Sequence, residues 1–176
     1  GGAGAVGFYA TSLASWGGAS VLCTVSGDQK AKRALLAGAE NVINYKTENV
    51  AERVDAYTKG KGVDRLITVD FGGDLPWMTS IMRQNSCISA YASDSEKMPT
   101  LDFFSFMRKN IQIRPFILNS LPQQVLNNAR SGINRWLVEK PNSLRPIAKK
   151  FSLEDITKAH ELVESSTKFG TVIVNP

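Results

Sequence analysis

The stretch that decides the fold is Gly1-Gly2-Ala3-Gly4-Ala5-Val6-Gly7, which is followed by an apolar run from Phe8 to Trp16. Its glycines form a G-x-G-x-x-G pattern at the start of a predicted helix. In dinucleotide-binding proteins such glycines permit a tight turn, let the backbone approach the pyrophosphate and let the helix pack close to the sheet. The first helical N–H groups and the positive end of the helix dipole then face the phosphates. We therefore predict cofactor contacts at Gly2, Gly4, Ala5, Val6 and Gly7.

The rest of the chain decides how much weight this pattern carries, because glycine-rich loops also occur for packing alone. Strand-like runs alternate with helix-like runs, which predicts an α/β fold of the Rossmann type, with a doubly wound parallel sheet and right-handed crossovers. A Rossmann glycine loop follows a strand, and no residue precedes Gly1 in this sequence, so we expect the sheet to lack its usual first strand. The predicted strands are residues 20–25, 41–44, 65–70, 87–91, 110–117, 146–151 and 171–174.

The helix patterns that bear on the site are also defined by their ends. Residues 5–16 are predicted to be helical, and Asn49 is a candidate N-cap of a helix that contains Val50. Phe71-Gly72-Gly73 is interpreted as a turn into a helix over residues 76–82. Residues 122–139 are predicted to form a long helix whose inward side chains are Val125, Leu126, Ala129, Ile133, Trp136 and Leu137.

Composition places the chain among ordinary globular proteins. Its 176 residues are 43% hydrophobic and 21% charged, and no apolar run reaches the ~18 residues of a membrane helix. The net charge of +5 comes from scattered Lys and Arg, so neither a nucleic-acid nor a membrane partner is predicted. Cys23 and Cys87 lie in strand-like runs and are predicted to be small buried residues of a cytoplasmic protein.

Short motifs are spread over the full length of the chain, at residues 2–7, 37–45, 60–64, 151–156, 159–161 and Lys168-Phe169-Gly170. In their order and spacing they resemble the medium-chain dehydrogenase/reductase superfamily, in particular its zinc-containing alcohol dehydrogenase-like and NADPH:quinone oxidoreductase-like members. The resemblance implies an NAD(P)-binding Rossmann domain at residues 1–140, truncated at its N-terminus. Residues 141–176 would be a C-terminal segment that packs on a catalytic domain absent from this chain. The family's zinc ligands lie mainly in that absent part, so no zinc is expected here.

The end of the second Rossmann strand indicates which nicotinamide nucleotide is bound. It reads Thr24-Val25-Ser26-Gly27, without the acid that usually binds the ribose hydroxyls of NAD. Ser26 and Lys30 could instead bind a 2′-phosphate, and the resemblance places Tyr45 at the same phosphate. We therefore favour NADPH over NADH, although Ser26 could be a helix N-cap in a capping box and Lys30 a solvated lysine.

Ligands of open α/β sheets lie beyond the carboxyl ends of the strands. That rule, together with the resemblance, assigns nicotinamide and ribose contacts to Asp70, Phe71, Tyr91 and Phe116. Phe71 and Phe116 could equally be core or interface aromatics. Phe169 matches a tail position that can approach the cofactor.

Three functions stay open at this stage. The first is a zinc-independent reductase that transfers hydride from NADPH to a small-molecule substrate, a quinone, enone or similar carbonyl. The second is the cofactor domain of a zinc-dependent NAD(P) alcohol dehydrogenase, and the third is a non-catalytic nucleotide-binding or sensor module. No catalytic residue is assigned, and the chain alone is expected to be inactive. The resemblance also implies a homodimer built through the edge strand from Asn110 to Ile117.

Overall fold

A computed structural model of the chain describes residues 1–165, 168 and 170–176, so the prediction for Phe169 lies outside the described residues. Helices and strands alternate along it, as the sequence predicts. The helices are α1 (Ala5–Trp16), α2 (Asp28–Leu36), α3 (Val50–Thr58), α4 (Phe71–Ile81), α5 (Phe103–Arg108), α6 (Gln123–Glu139) and α7 (Ile156–Glu164). The strands are β1 (Leu22–Val25), β2 (Asn41–Asn44), β3 (Val63–Thr68), β4 (Met82–Ala90), β5 (Gln112–Pro115), β6 (Ile147–Ser152) and β7 (Thr171–Asn175). Leu118–Ser120 and Leu153–Asp155 are short 3-10 helices.

Every strand pair is parallel, which confirms the α/β prediction. β1 pairs with β2, β3 with β4, β4 with β5, and β6 with β7. The Rossmann strand order is 3-2-1-4-5-6. Here β2 and β1 take places 3 and 2, while β3, β4 and β5 take places 4, 5 and 6. Among the described residues no strand takes the first place, as expected, and the sheet is divided into two parts.

A cavity of about 170 Å³ lies where the first strand would be. It is walled by β1, β3 and the helices that cover them, and Leu22, Ile67 and Val69 are among its apolar lining residues. Ile67 is 54% exposed and Val69 41% exposed, which is unusual for residues of a central strand and its extension. These apolar side chains are therefore not packed against a neighbouring strand on this side.

Two apolar clusters form the core. The larger joins the two sides of the gap, since it contains Ile43 of β2 together with Met78 of α4 and Ile88 of β4. The smaller packs α2 against β1 and contains Val25 and Ala34. Both cysteines are buried and free, which confirms the burial predicted for them.

Helix α4 begins earlier than the sequence predicts. The prediction started it near Pro76, with Phe71-Gly72-Gly73 as a turn, whereas the helix starts at Phe71 and Pro76 lies inside it. The Gly72 N–H donates to Ser93 Oγ at 2.9 Å. This partner lies 21 residues away, so the tertiary fold supplies the contact that supports the first turn.

Helix α6 is less buried than its apolar periodicity predicts. Of the residues predicted inward, Trp136 is buried and Leu126 and Leu137 are half-buried, whereas Val125, Ala129 and Ile133 are exposed. The contact of α6 with α1 lies near the C-terminal end of α6, where Trp16 Nε1 donates to Glu139 Oε2 at 2.7 Å. The sequence pattern describes a face that α1 covers only in part.

Candidate nucleotide-binding site

The glycine loop is held against the carboxyl end of β1. The Gly2 N–H donates to the carbonyl oxygen of Thr24 at 3.1 Å, and the Gly4 N–H donates to that of Gly1 at 3.1 Å. A Cβ on Gly2 would lie 2.6 Å from Cys23 Cβ, and one on Gly7 would overlap the carbonyl oxygen of Gly1. Two of the three pattern glycines are therefore required by close backbone packing.

Helix α1 presents an open N-terminus at the end of this loop. Its N-cap is Gly4, and no side chain caps it. The Phe8 N–H is the first in this helix with an intrahelical partner, and it donates a hydrogen bond to the carbonyl oxygen of Gly4 at 2.9 Å. Ala5, Val6 and Gly7 precede it, so their N–H groups have no partner within the helix. Gly4, Ala5 and Val6 are exposed, and the helix dipole gives this surface a positive potential suited to phosphate.

Ser26 and Lys30 are in contact at the carboxyl end of β1, and the backbone of Tyr45 lies next to them. Lys30 Nζ donates to Ser26 Oγ at 2.7 Å. The Tyr45 N–H donates to the carbonyl oxygen of Val25 at 3.1 Å, and the Tyr45 side chain is 51% exposed. The ammonium and the hydroxyl predicted at the 2′-phosphate are thus in contact, and the phenol belongs to a residue whose backbone is adjacent to them.

The capping box predicted at Ser26-Gly27-Asp28-Gln29 does not form. The N-cap of α2 is Gly27, and no side chain caps this helix. Ser26 lies one residue too early, and its hydroxyl is bound by Lys30 instead. Of the two roles considered for Ser26, the capping role is therefore wrong.

The other four predicted residues follow β3, β4 and β5 at the same end of the sheet. Phe71, Tyr91 and Phe116 line one pocket of about 660 Å³. Tyr91 and Phe116 have ring centroids 6.3 Å apart and planes inclined at 49°. Burial raises the pKa of Tyr91, so its phenol stays neutral and can donate a hydrogen bond.

Asp70 is directed elsewhere. Its carboxylate accepts hydrogen bonds from the Ser95 N–H, at 3.0 Å, and from the Ser95 hydroxyl. These bonds lower the pKa of Asp70 and tie its side chain to the loop after β4. The structure therefore does not bring the Asp70 carboxylate together with the three aromatic residues.

Sequence reasoning missed the pair of Thr68 and Asp74. Thr68 Oγ1 donates to Asp74 Oδ2 at 2.6 Å and accepts from the Asp70 N–H at 3.0 Å. Burial raises the pKa of Asp74, which lines the cavity between β1 and β3. Placing the start of α4 at Phe71 would have put Asp74 in the first turn of that helix. Because Gly72-Gly73 was interpreted as a turn, the position of Asp74 in the first turn of a helix was not recognised from the sequence.

The described residues contain no group of three or more His, Cys, Asp or Glu side chains that could hold a metal ion. No helix in the described part of the chain has the length and apolar character needed to cross a bilayer.

Comparison with known proteins identifies relatives along the whole chain. The model of the zinc-binding dehydrogenase family matches residues 5–132. A quinone oxidoreductase of Salmonella typhimurium is 28% identical over 187 aligned positions, which cover 99% of this chain and 54% of the relative. The chain thus spans about half the length of the curated relatives it matches.

Solved structures share the fold. A mycobacterial quinone oxidoreductase superposes with a TM-score of 0.84 at 23% identity, covering 99% of this chain and 54% of the other. The Escherichia coli quinone oxidoreductase complexed with NADPH gives 0.77 at 24% identity, covering 99% of this chain and 55% of the other.

Proposed function

Because this chain belongs to the zinc-binding dehydrogenase family, as the motif resemblance implied, we propose that it is the NADPH-binding part of an oxidoreductase. The whole protein would transfer hydride to a quinone, an enone or a similar carbonyl compound. The observation that carries the proposal is the contact of Lys30 with Ser26 at 2.7 Å beside an uncapped α1 N-terminus. The names of the relatives, which are quinone oxidoreductases, support the same reaction class.

The residues present fit the pyrophosphate and 2′-phosphate of NADPH. The free N–H groups of Ala5, Val6 and Gly7 suit the pyrophosphate. Lys30 would pair with the 2′-phosphate, while Ser26 and Tyr45 would supply hydroxyl groups to it. No acid follows β1 directly, so nothing at that place repels a second phosphate. Asp28, in the first turn of α2, is exposed, and it forms no ion pair with Lys30 in the described part of the chain.

The aromatic pocket beyond β3, β4 and β5 would receive the nicotinamide end. The bound cofactor supplies the hydride, and the protein contributes position and surroundings. Phe71, Tyr91 and Phe116 would orient a flat ring and exclude water from it. The neutral phenol of Tyr91 is available as a hydrogen-bond donor.

We expect Lys30→Glu to weaken NADPH binding by about 10- to 100-fold, because it removes a charge-assisted hydrogen bond and adds repulsion of the 2′-phosphate. Binding of NADH, which lacks this phosphate, should change by less than about threefold, since exposed charges that make no direct contact contribute little. Calorimetric titration of both nucleotides measures the difference. Lys32→Glu, on the same helix, is the control for net charge and should leave both affinities near those of the parent. Unchanged NADPH affinity in Lys30→Glu would refute the phosphate assignment.

Two other functions are separated by simple measurements. A cofactor domain of a zinc-dependent alcohol dehydrogenase predicts stoichiometric zinc in the whole protein and oxidation of alcohols. A non-catalytic nucleotide sensor predicts NADPH binding without turnover of any quinone or enone. The proposed reductase predicts NADPH-dependent reduction of these carbonyl compounds without added metal.

We also propose a homodimer in which the β5 edges of two copies pair. The Phe116 N–H donates to Ala90 at 3.0 Å, so by alternation the Ile113 N–H faces away from β4. Pro115 has no N–H, which leaves Ile113 as the outward donor within β5.

Ile113→Pro is therefore expected to weaken the dimer by about tenfold or more, because each copy loses one intermolecular hydrogen bond. The bonds to β4 are unaffected, since they use the N–H groups of the neighbouring residues. Sedimentation equilibrium gives the dissociation constant, and Ile113→Val is the control that retains the N–H. A dimer of unchanged affinity in Ile113→Pro would place the contact elsewhere.

A further inference from the structure

The pocket beyond β3, β4 and β5 contains a charged side chain that the hydride-transfer proposal does not use. Its walls are mainly apolar and aromatic, with Phe71, Tyr91, Pro99, Phe116 and Leu121 among them. Among the described lining residues Lys97 is the one charged side chain. A cation beside an apolar pocket selects ligands that combine an apolar body with an anionic group.

The backbone on both sides of Lys97 is fixed. The carbonyl oxygen of Glu96 accepts a hydrogen bond from Ser93 Oγ at 2.5 Å, and the Met98 N–H donates to Glu96 Oε1 at 2.9 Å. Ser93 Oγ also accepts from the Gly72 N–H at 2.9 Å, which ties this turn to the start of α4. Lys97 therefore lies on the pocket wall, in a turn that hydrogen bonds hold in place.

The ammonium group of Lys97 is not engaged by the protein. None of the ion pairs or hydrogen bonds found among the described residues includes it. The neighbouring carboxylate of Glu96 is occupied by the Met98 N–H. An unpaired ammonium on a fixed wall can pair with a ligand without first breaking an internal contact.

We propose that this pocket binds a small conjugated or aromatic carboxylate, and that Lys97 determines the preference for the acid by pairing with its carboxylate. The inference rests on the proposed function, because it narrows the carbonyl substrates of that function to those that carry an acid group. The pocket of about 660 Å³ would hold the unsaturated body next to the nicotinamide ring, and the carboxylate would lie toward the exposed ammonium.

Cinnamate and its neutral amide, cinnamamide, test the charge preference with one apolar body. By NMR titration in low salt, the parent is expected to bind cinnamate about three- to fivefold more tightly than cinnamamide. A preference of this size corresponds to the free energy of an exposed ion pair. Lys97→Gln should bind both probes equally, and 0.5 M NaCl should reduce the preference of the parent. The control Lys150→Gln, on exposed β6, should keep the preference of the parent.

Phe116→Ala separates the apolar contribution from the charge. It should lower the affinity for cinnamate and for cinnamamide by the same factor, whereas Lys97→Gln should lower the affinity for cinnamate alone. Equal affinities in the parent, a preference retained in Lys97→Gln, or no binding of either probe would each overturn the proposal.

NADPH titrations of the same samples keep the two proposals distinguishable. If NADPH binds in a Lys30-dependent manner while the probes show no charge preference, the carboxylate inference alone fails. If the probes depend on Lys97 while NADPH does not bind, the cofactor proposal fails and the carboxylate pocket stands.

Discussion

Gly7→Ala is expected to abolish the geometry of the glycine loop. The added Cβ would overlap Gly1 O and lie 3.0 Å from Gly2 Cα. Both neighbours are backbone, which cannot rotate away as a side chain can. Overpacking of this kind costs about 1–3 kcal/mol in the free energy of unfolding. It would also displace the N–H groups of the first turn of α1, so NADPH affinity should fall by about tenfold to 100-fold.

Urea unfolding and calorimetric titration of NADPH measure the two effects separately. Gly132→Ala is the control for the substitution itself. Its Cβ meets no atom within 4 Å in the middle of α6, so it should stabilise the protein by about 0.5–1 kcal/mol. A Gly7→Ala protein with parental stability and parental NADPH affinity would contradict both the packing and the binding role.

Gly4→Ala tests the binding role of the loop separately from its packing role. A Cβ at Gly4 meets one atom, Gly1 O, at 3.4 Å, and the φ of −68° suits alanine. The fold should therefore tolerate the change within about 0.5 kcal/mol. If the pyrophosphate approaches this backbone as proposed, NADPH affinity should still decrease, because the methyl group occupies the space of the phosphate.

Trp136→Ala is expected to be the most destabilising change in α6, at about 3–5 kcal/mol. The indole is 3% exposed, and its ring lies 6.1 Å from that of Tyr9, edge to face. Two further links join α6 to α1: the hydrogen bond from Trp16 to Glu139, and the guanidinium of Arg135, which lies 5.0 Å from the centre of the Trp16 ring. Both links are at the surface, where they contribute less than a buried ring.

Urea unfolding gives the free-energy change, and hydrogen exchange over residues 123–139 reports whether α6 detaches before the rest unfolds. Trp136→Phe keeps an aromatic ring and should cost less than the alanine variant. Val138→Ala, at a residue 81% exposed in the same helix, should change stability by less than about 0.5 kcal/mol. A cost below about 1 kcal/mol for Trp136→Ala would mean that α6 is not held by this residue.

The division of the chain at residues 140 and 141 stays a prediction. The contact of Trp136 with Tyr9 joins α6 to α1, as a Rossmann domain ending at residue 140 requires. The Arg145 N–H donates to Tyr9 Oη at 3.3 Å, so the following segment also contacts α1. Hydrogen exchange on Trp136→Ala would show whether residues 141–165 lose protection together with α6.

The local sequence determined the bounds of several helices and strands and the position of the glycine loop. The range of α1 was predicted to the residue, as was that of β2, because the capping glycines and β-branched runs that fix them are near neighbours in the chain. The three glycines of the loop were identifiable for the same reason, since their spacing alone encodes a strand-to-helix turn. Asn49 was expected to cap α3, and its side chain accepts from the N–H groups of Ala51 and Glu52.

The tertiary structure decided what distant residues do to one another. The start of α4 depends on Ser93, and the orientation of Asp70 depends on Ser95, both more than twenty residues away. The exposure of Ile133 depends on how far α1 extends beneath α6, which periodicity does not reveal. The position of Lys97 also depends on tertiary structure, because Lys97 reaches the aromatic pocket from the hydrogen-bonded turn before Pro99. Hydrogen bonds within one element follow from the local sequence, whereas the contacts that complete this site exist only once separate elements have packed together.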